Sequence, residues 1–322
     1  MSVTEAIGVD LGGTKMLVGV VAEGGEVTHR RMVPSAGLSQ DEVLALLEAE
    51  LRAALAARPG ARAVGLGVPC TIDRDRGVCL SAVNLPLRDV PLRELVAERI
   101  GLPTAVDNDA NAAVVAEHRR GAAQGCRNVV MLTIGTGIGG GLILEGRPFR
   151  GTRGAAAELG HVVVDLDGPP CQGSCPNHGC IEAIASGTAL GREAQEAAAL
   201  HPDSALGQAA LQGEPVDARL VTELGLAGDP TSVEVVATVG RRLGAALSGL
   251  ANTFDPDLIV LGGGVLAAGE LLLEPARGEL RARALQPQRS VPIRAAALGA
   301  DAGMIGAAIL GLDELAAGGA VA

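Results

Sequence analysis

The chain has 322 residues, enough for about two domains, and its hydrophobic content of 48% excludes a largely disordered protein. A net charge of −11 without any polybasic segment argues against a nucleic-acid partner. The N-terminus lacks the basic start and apolar run of a signal peptide, and no stretch reaches the ~18 apolar residues of a membrane span, so we expect a soluble, cytoplasmic protein with no membrane partner.

The first third of the chain alternates strand and helix patterns. Apolar runs at 6–10, 16–22 and 27–33 predict three strands joined by short glycine turns. Ser39 and Glu42 have the spacing of a capping box, which predicts a helix that runs to about Ala57. Further along we expect strands over 62–68 and 104–107 and helices over 91–101 and 109–121.

At residue 128 the pattern starts again. The run "NVVMLTI", the turn "GTGIGG" and the run "GLILEG" repeat the opening order of apolar strand, glycine turn and apolar strand, which predicts two domains of similar plan. The chain is then largely helical to about residue 252. A strand "DLIV", the turn "LGGG", a helix over 265–280 and a final helix from about Asp301 complete an α/β pattern.

Three glycine turns are candidates for binding phosphate through backbone N–H groups. They are "VDLGGTK" at 9–15, "GTGIGG" at 135–140 and "LGGG" at 261–264. The second turn fits a dinucleotide fingerprint in letters, but a strand pattern follows it where that fingerprint requires a helix. The third precedes a predicted helix, whose N-terminus is favourable for a nucleotide. Together they predict a nucleotide held between two domains.

An acid and an amide stand together in "AVDNDANAA", at a predicted strand-to-helix junction. Phosphoryl transfer to an alcohol needs a carboxylate that accepts the hydroxyl proton and groups that fix the acceptor in line. Asn108 and Asp109 can serve these roles. The alternative is that either residue only caps the helix, since Asn and Asp are preferred capping residues.

The segment "CQGSCPNHGC" at 171–180 concentrates half of the six cysteines of the chain in ten positions. With His161 upstream, Cys171, Cys175 and Cys180 form a Cys₃His set of the structural zinc type, closed to substrate. A disulfide within the cluster is the alternative, disfavoured in the expected compartment, and His178 is an alternative ligand. One zinc here would bring Glu158 and Glu182 together, and paired carboxylates can bind the hydroxyls of a polyol.

The motifs "DLGGTK", "GVPCTID", "NLPLRDVPL", "DNDANAA", "TIGTGIGGG", "AELGH" and "GCIEAIASG" occur in this order along nearly the whole chain. In this set the chain resembles the ROK family of bacterial sugar kinases, most closely its ATP-dependent glucokinases. The resemblance implies a two-domain actin/hexokinase-like (ribonuclease H-like) α/β fold with a cleft between the domains. Residues 1–110 with the C-terminal helix 303–322 would form the small domain, and residues 111–302 the large one.

The resemblance also implies ATP, Mg²⁺ and a structural Zn²⁺, and a role for each matching residue. Asp109 would be the base that deprotonates the sugar 6-hydroxyl, and Asp10 would act near Mg²⁺. The sugar hydroxyls would be bound by Asn84, Asn108, Asp109, Glu158, His161 and Glu182, with His161 also a zinc ligand beside Cys171, Cys175 and Cys180. ATP would be held by Asp10, Gly12, Gly13, Thr14, Lys15, Thr133, Gly135, Thr136 and Gly137, and by Gly262, Gly263 and Gly264 near the adenosine.

Two positions depart from the family pattern. The family usually places one residue between its first two cysteines and a glycine after the second, where this chain has "CQGSC" and Pro176; Cys171 is therefore the least secure ligand. Cys70 stands where the family commonly has glycine. We predict phosphorylation of a hexose, glucose above all, by a homo-oligomer (a dimer or tetramer). The alternatives are an N-acetylhexosamine kinase, a fructokinase and a non-catalytic sugar-responsive regulator.

Overall fold

The computed structural model describes residues 3–82 and 84–318. The strands are β1 Glu5–Leu11, β2 Lys15–Ala22, β3 Val27–Pro34, β4 Ala61–Val68, β5 Cys70–Asp73, β6 Val78–Ala82, β7 Arg88–Val90, β8 Thr104–Asn108, β9 Val129–Ile134, β10 Ile138–Leu144, β11 Arg147–Pro148, β12 Leu258–Gly262 and β13 Ile293–Ala295. The helices are α1 Gln40–Ala57, α2 Leu92–Ile100, α3 Asp109–Arg120, α4 Ile181–Ala185, α5 Gly187–Leu200, α6 Ala205–Leu211, α7 Ala218–Leu226, α8 Pro230–Phe254, α9 Glu270–Arg283 and α10 Ala302–Ala316.

Two five-stranded sheets share one plan. Their orders are β3-β2-β1-β4-β8 and β11-β10-β9-β12-β13, so each sheet consists of three consecutive strands, β1–β3 or β9–β11, and two strands from later in the chain. Strands β1, β4 and β8 run parallel, as do β9, β12 and β13. This is the similarity that the repeated strand, glycine turn and strand pattern predicts. A small sheet of β5, β6 and β7 accompanies the first.

Local capping signals place the first helix as predicted. The Ser39 hydroxyl accepts the Glu42 N–H, and the Glu42 carboxylate accepts the Ser39 N–H at 2.8 Å, which completes the capping box of α1. The helix predicted over 265–280 is wrong in its first turn. A short 3₁₀ turn, Gly264–Ala268, ends at Gly269 with φ 55° and ψ −132°, and α9 begins only after this break. The third glycine turn therefore does not open an α-helix.

The chain divides into two compact units, one of Met1–Gly125, Gly141–Ala157 and Ala297–Ala322, the other of Cys126–Gly140 and Glu158–Ala296. The sequence-based boundary at residue 110 excludes α3 from the first unit, whereas the structure keeps it there. The reason is close packing: a Cβ on Gly306 of α10 would lie 1.7 Å from the Ala112 carbonyl oxygen. Residues 319–322 of the predicted C-terminal helix lie outside the described residues.

Among the described residues, no helix is both long and apolar enough to cross a membrane.

Candidate functional site

In the first unit, acidic side chains meet at the carboxyl ends of parallel strands. Asp10 of β1 pairs in register with Gly67 of β4, which pairs with Asp107 of β8. Asp109 follows directly, and a Cβ on Gly67 would lie 3.5 Å from its Cα atom. Ligands of α/β sheets bind at this edge, so Asp109, the predicted base, and Asp10, predicted to act near Mg²⁺, lie where a ligand is expected.

Asn108 and Asp109 open helix α3. The Asn108 Oδ1 accepts the N–H groups of Ala110 at 2.9 Å and Asn111 at 3.3 Å, so this side chain is the N-cap of α3, the alternative role predicted for it from the sequence. Capping uses the oxygen of this amide, and its NH₂ group is chemically able to donate to a sugar hydroxyl. The cap holds Asp109 in the first turn of α3.

A buried ion pair that the sequence does not predict supports this junction. The Asp107 carboxylate accepts the Asn108 N–H at 2.8 Å, the Asn111 side-chain amide at 3.0 Å and the Arg150 guanidinium at 2.5 Å. The Arg150 and Asp107 side chains are only 10% and 8% exposed. Because Asp107 binds the backbone of Asn108, the pair fixes the end of β8, directly before the candidate base.

We expect Arg150→Met to lower the free energy of unfolding by about 3–5 kcal/mol, because it leaves the Asp107 charge buried without its partner. Urea unfolding of this variant beside Arg153→Met, a change at an exposed arginine of the same loop, measures the effect. Equal stability of the two variants would contradict this account of the ion pair.

The Asp10 carboxyl has an unusual environment. Burial raises its pKa to about 7, the nearby charge of Asp109 adds to the rise, and Lys15 opposes it. Helix α10 contributes to the crowding, since a Cβ on Gly303 would lie 2.8 Å from Asp10 Oδ2. Burial and the charge of Asp109 disfavour the ionised form of Asp10, and a cation beside it would stabilise that form. This fits the predicted role of Asp10 near Mg²⁺.

The raised pKa predicts a pH dependence of stability in the absence of nucleotide and Mg²⁺. Between about pH 4 and pH 7 the folded chain holds a proton on Asp10 that the unfolded chain releases, so this residue makes the wild type less stable as pH rises. Asp10→Asn lacks the effect and should gain about 4 kcal/mol of stability relative to the wild type between these limits. Urea titrations at several pH values test this, with Asp41→Asn in the exposed first turn of α1 as control. Parallel profiles for all three proteins would refute it.

The first glycine turn joins β1 to β2 and contacts the segment that contains Asn84. The Gly12 carbonyl accepts the Ser35 hydroxyl at 2.7 Å, and the Thr14 carbonyl accepts the Ser35 N–H at 3.0 Å. A Cβ on Gly13 would lie 2.4 Å from the Asn84 carbonyl oxygen, so this position requires glycine. The turn predicted for ATP phosphates and the predicted sugar ligand Asn84 are therefore neighbours.

The second unit contains a cavity of about 750 Å³ beside the other two glycine turns. Gly135, Thr136 and Gly264 of the predicted ATP residues line it, and Thr133 of β9 pairs in register with Gly262 of β12. The rest of the lining comes mostly from α5 and α7 and the residues just before α7: Gly187, Thr188, Gly191, Arg192, Gln195, Val216, Asp217, Ala218, Arg219, Thr222, Glu223 and Leu226. The volume suits a drug-sized ligand such as a nucleoside.

The metal ligand set predicted from sequence is assembled in the same unit. One ligand atom from each of His161, Cys171, Cys175 and Cys180 lies within 4.8 Å of all the others. The Cys171 sulfur is 3.5 Å from His161 Nδ1, and the Cys175 and Cys180 sulfurs are 3.9 Å apart. Ligand atoms on one tetrahedral zinc are roughly 3.3–3.8 Å apart, so these two separations are close to those of a zinc site and the thiol and imidazole donors are of the type that zinc prefers, with Cys171 included.

The environment of these thiols also favours a cation. Burial raises the pKa of Cys180, so its thiolate is unfavourable without one. Zinc would supply this charge and hold the segment together without taking part in the reaction. The alternative ligand His178 is exposed, with Nδ1 3.3 Å from the Gly168 carbonyl oxygen.

The two glutamates predicted to bind sugar differ in their surroundings. Glu158 is exposed, at the start of a 3₁₀ turn that contains His161. Glu182 is buried, and its carboxylate accepts the Ile138 N–H at 2.7 Å and lies 3.6 Å from the Cys171 sulfur. Glu182 therefore contacts both the cysteine segment and the second glycine turn.

Residues 6–314, nearly the whole chain, match the model of the ROK family. The chain belongs to the ROK family. It is 39% identical over 312 residues to a glucokinase of Streptomyces coelicolor, an alignment that covers 94% of this chain and 96% of that one. The crystal structure of a ROK family glucokinase from Streptomyces griseus in complex with glucose and AMPPNP has a TM-score of 0.85 at 37% identity, over 96% of this chain and 99% of that one.

A second kind of ROK protein is also similar. A ROK family transcriptional regulator, a homologue of the E. coli MLC protein, has a TM-score of 0.86 at 27% identity, and the match covers 95% of this chain and 77% of that one. The predicted ROK membership, two-domain α/β fold and relation to glucokinase enzymes are confirmed by these matches. The individual ROK site residues remain predictions.

Proposed function

We propose that the chain transfers the γ-phosphoryl group of ATP to the 6-hydroxyl of a hexose, with glucose as the preferred acceptor. The observation that carries the proposal is the Asn108–Asp109 pair at the carboxyl ends of the parallel strands, in a chain similar over its length to glucokinases. A carboxylate there can accept the proton of the attacking hydroxyl while the transferred group passes to the sugar oxygen.

The other residues divide between the sugar and the nucleotide. Asn84, Asn108, Glu158, His161 and Glu182 would bind sugar hydroxyls. The cavity of the second unit would hold the adenosine, with Gly262–Gly264 beside it, and the turns that contain Gly12–Lys15 and Thr133–Gly137 would hold the phosphates. Asp10 would assist in holding Mg²⁺, which supplies positive charge that neutralises the phosphates.

The test is ADP formation from ATP and Mg²⁺ with glucose, mannose, fructose, N-acetylglucosamine and N-acetylmannosamine. We expect kcat/KM to be highest for glucose. A preference for an N-acetylated sugar or for fructose would change the assigned substrate and leave the proposed phosphoryl transfer unchanged.

A sugar-responsive regulator is the second candidate, favoured by the similarity to the ROK transcriptional regulator. Zinc-loaded, folded protein that binds glucose without forming ADP from ATP would support this candidate and refute the kinase. We further propose that the protein is cytoplasmic and forms a homo-oligomer. Light scattering in solution measures its molar mass and so tests the oligomeric state.

A further inference from the structure

The spacing "CQGSC" includes Gln172, whose side chain extends from the cysteine segment to the second glycine turn. Gln172 is partly buried, and its side-chain amide donates to the Thr136 carbonyl at 3.2 Å and to the Ser186 hydroxyl at 3.0 Å. Ser174, in the same loop, is exposed. Gln172 therefore contacts two residues outside the cysteine segment.

Both partners of Gln172 belong to the structure around the proposed nucleotide cavity. The Thr136 carbonyl also accepts the Thr188 hydroxyl at 2.9 Å, and Thr136 and Thr188 line the cavity. Ser186 is the N-cap of α5, where its hydroxyl accepts the Ala189 N–H at 3.2 Å. The Gln172 amide thus adds two hydrogen bonds to the contacts that already join the glycine turn to the start of this cavity helix, among them the Gly187 N–H to the Gly135 carbonyl at 2.8 Å.

Glu182 forms a second connection along a different route. Its buried carboxylate accepts the Ile138 N–H, and a Cβ on Gly137 would lie 2.3 Å from Glu182 Oε2. The other oxygen of the same carboxylate lies next to the Cys171 thiol. A change in the conformation of the cysteine segment can therefore shift residues 136–138 through Glu182.

We propose that Gln172 is a positioning residue that couples metal loading of the cysteine segment to nucleotide affinity, an inference that rests on the proposed function. With metal bound, the segment is fixed and Gln172 holds Thr136 in its binding position. Without metal, the segment loses its main constraint. The entropy cost of ordering Gln172 must then be met when nucleotide binds, which lowers the affinity for nucleotide. The loss of one or two such hydrogen bonds corresponds to an affinity change of about three- to tenfold.

The experiment is calorimetric titration with AMPPNP and Mg²⁺ of wild type, Gln172→Ala and Gln172→Glu, each zinc-loaded and chelated, with Ser174→Ala as matched control. Glutamate keeps the size of the side chain but cannot donate to the Thr136 carbonyl. We expect chelation to weaken AMPPNP binding by the wild type and Ser174→Ala by about three- to tenfold. The Gln172 variants should be weak in both states, with zinc content and glucose affinity unchanged.

Wild-type AMPPNP affinity in zinc-loaded Gln172→Glu overturns the inference. Loss of zinc from both Gln172 variants also overturns it, because Gln172 would then only maintain the metal segment. If the wild type binds no AMPPNP, the proposed function has failed and the inference fails with it. AMPPNP binding by the wild type is therefore measured first, before any variant is compared, so that the two failures are distinguishable.

Discussion

Asp109→Asn is expected to lower kcat for phosphorylation of glucose by about 10²- to 10⁴-fold. Asparagine has nearly the shape of aspartate but cannot accept the proton of the attacking hydroxyl. The Asn108 cap and the Asp107 hydrogen bonds hold the backbone at this position, so the substitution should leave the start of α3 intact. KM for ATP should change little, and steady-state kinetics with both substrates varied separate these effects.

The matched control is Asp41→Asn, an aspartate in the exposed first turn of α1, which should retain wild-type kcat. A second readout comes from the charge of Asp109, which contributes to the raised pKa of Asp10. Removal of that charge should lower the Asp10 pKa. Turnover of Asp109→Asn at the wild-type rate, in folded protein, would refute the assignment of Asp109 as the base.

Cys180→Ser is expected to abolish stoichiometric zinc binding and to destabilise the segment from His161 to Cys180. Cys180 is fully buried, and serine offers no thiolate ligand. Structural zinc sites contribute on the order of 10 kcal/mol to the folding of the segment they hold. Zinc analysis and thermal unfolding of purified protein should therefore show loss of the metal and a lower melting temperature.

The control is His178→Ala in the same segment, because His178 is exposed and its ring contacts the Gly168 carbonyl. It should retain one zinc per chain and the wild-type melting temperature. Cys171→Ser tests the unusual spacing directly and should also lose zinc affinity. Full zinc occupancy in Cys180→Ser would show that these residues do not form the metal site.

The sequence by itself determined the features that depend on neighbouring residues. The capping box of α1 and the alternation of strands and glycine turns follow from short-range rules of hydrogen bonding and period. The grouping of His161 with Cys171, Cys175 and Cys180 also follows the sequence, because three of these four residues lie within ten positions. The helix predicted after "LGGG" failed because Gly269 takes a conformation that the helical pattern does not reveal.

Only the tertiary structure decided which distant side chains meet. Arg150 pairs with Asp107 from 43 residues away, and nothing in its local sequence separates it from the other arginines. The walls of the cavity on α5 and α7, the contact of Gln172 with Thr136 and the inclusion of α3 in the first unit are of the same kind. Such contacts depend on strand register and helix packing, which bring together groups that no short-range pattern connects.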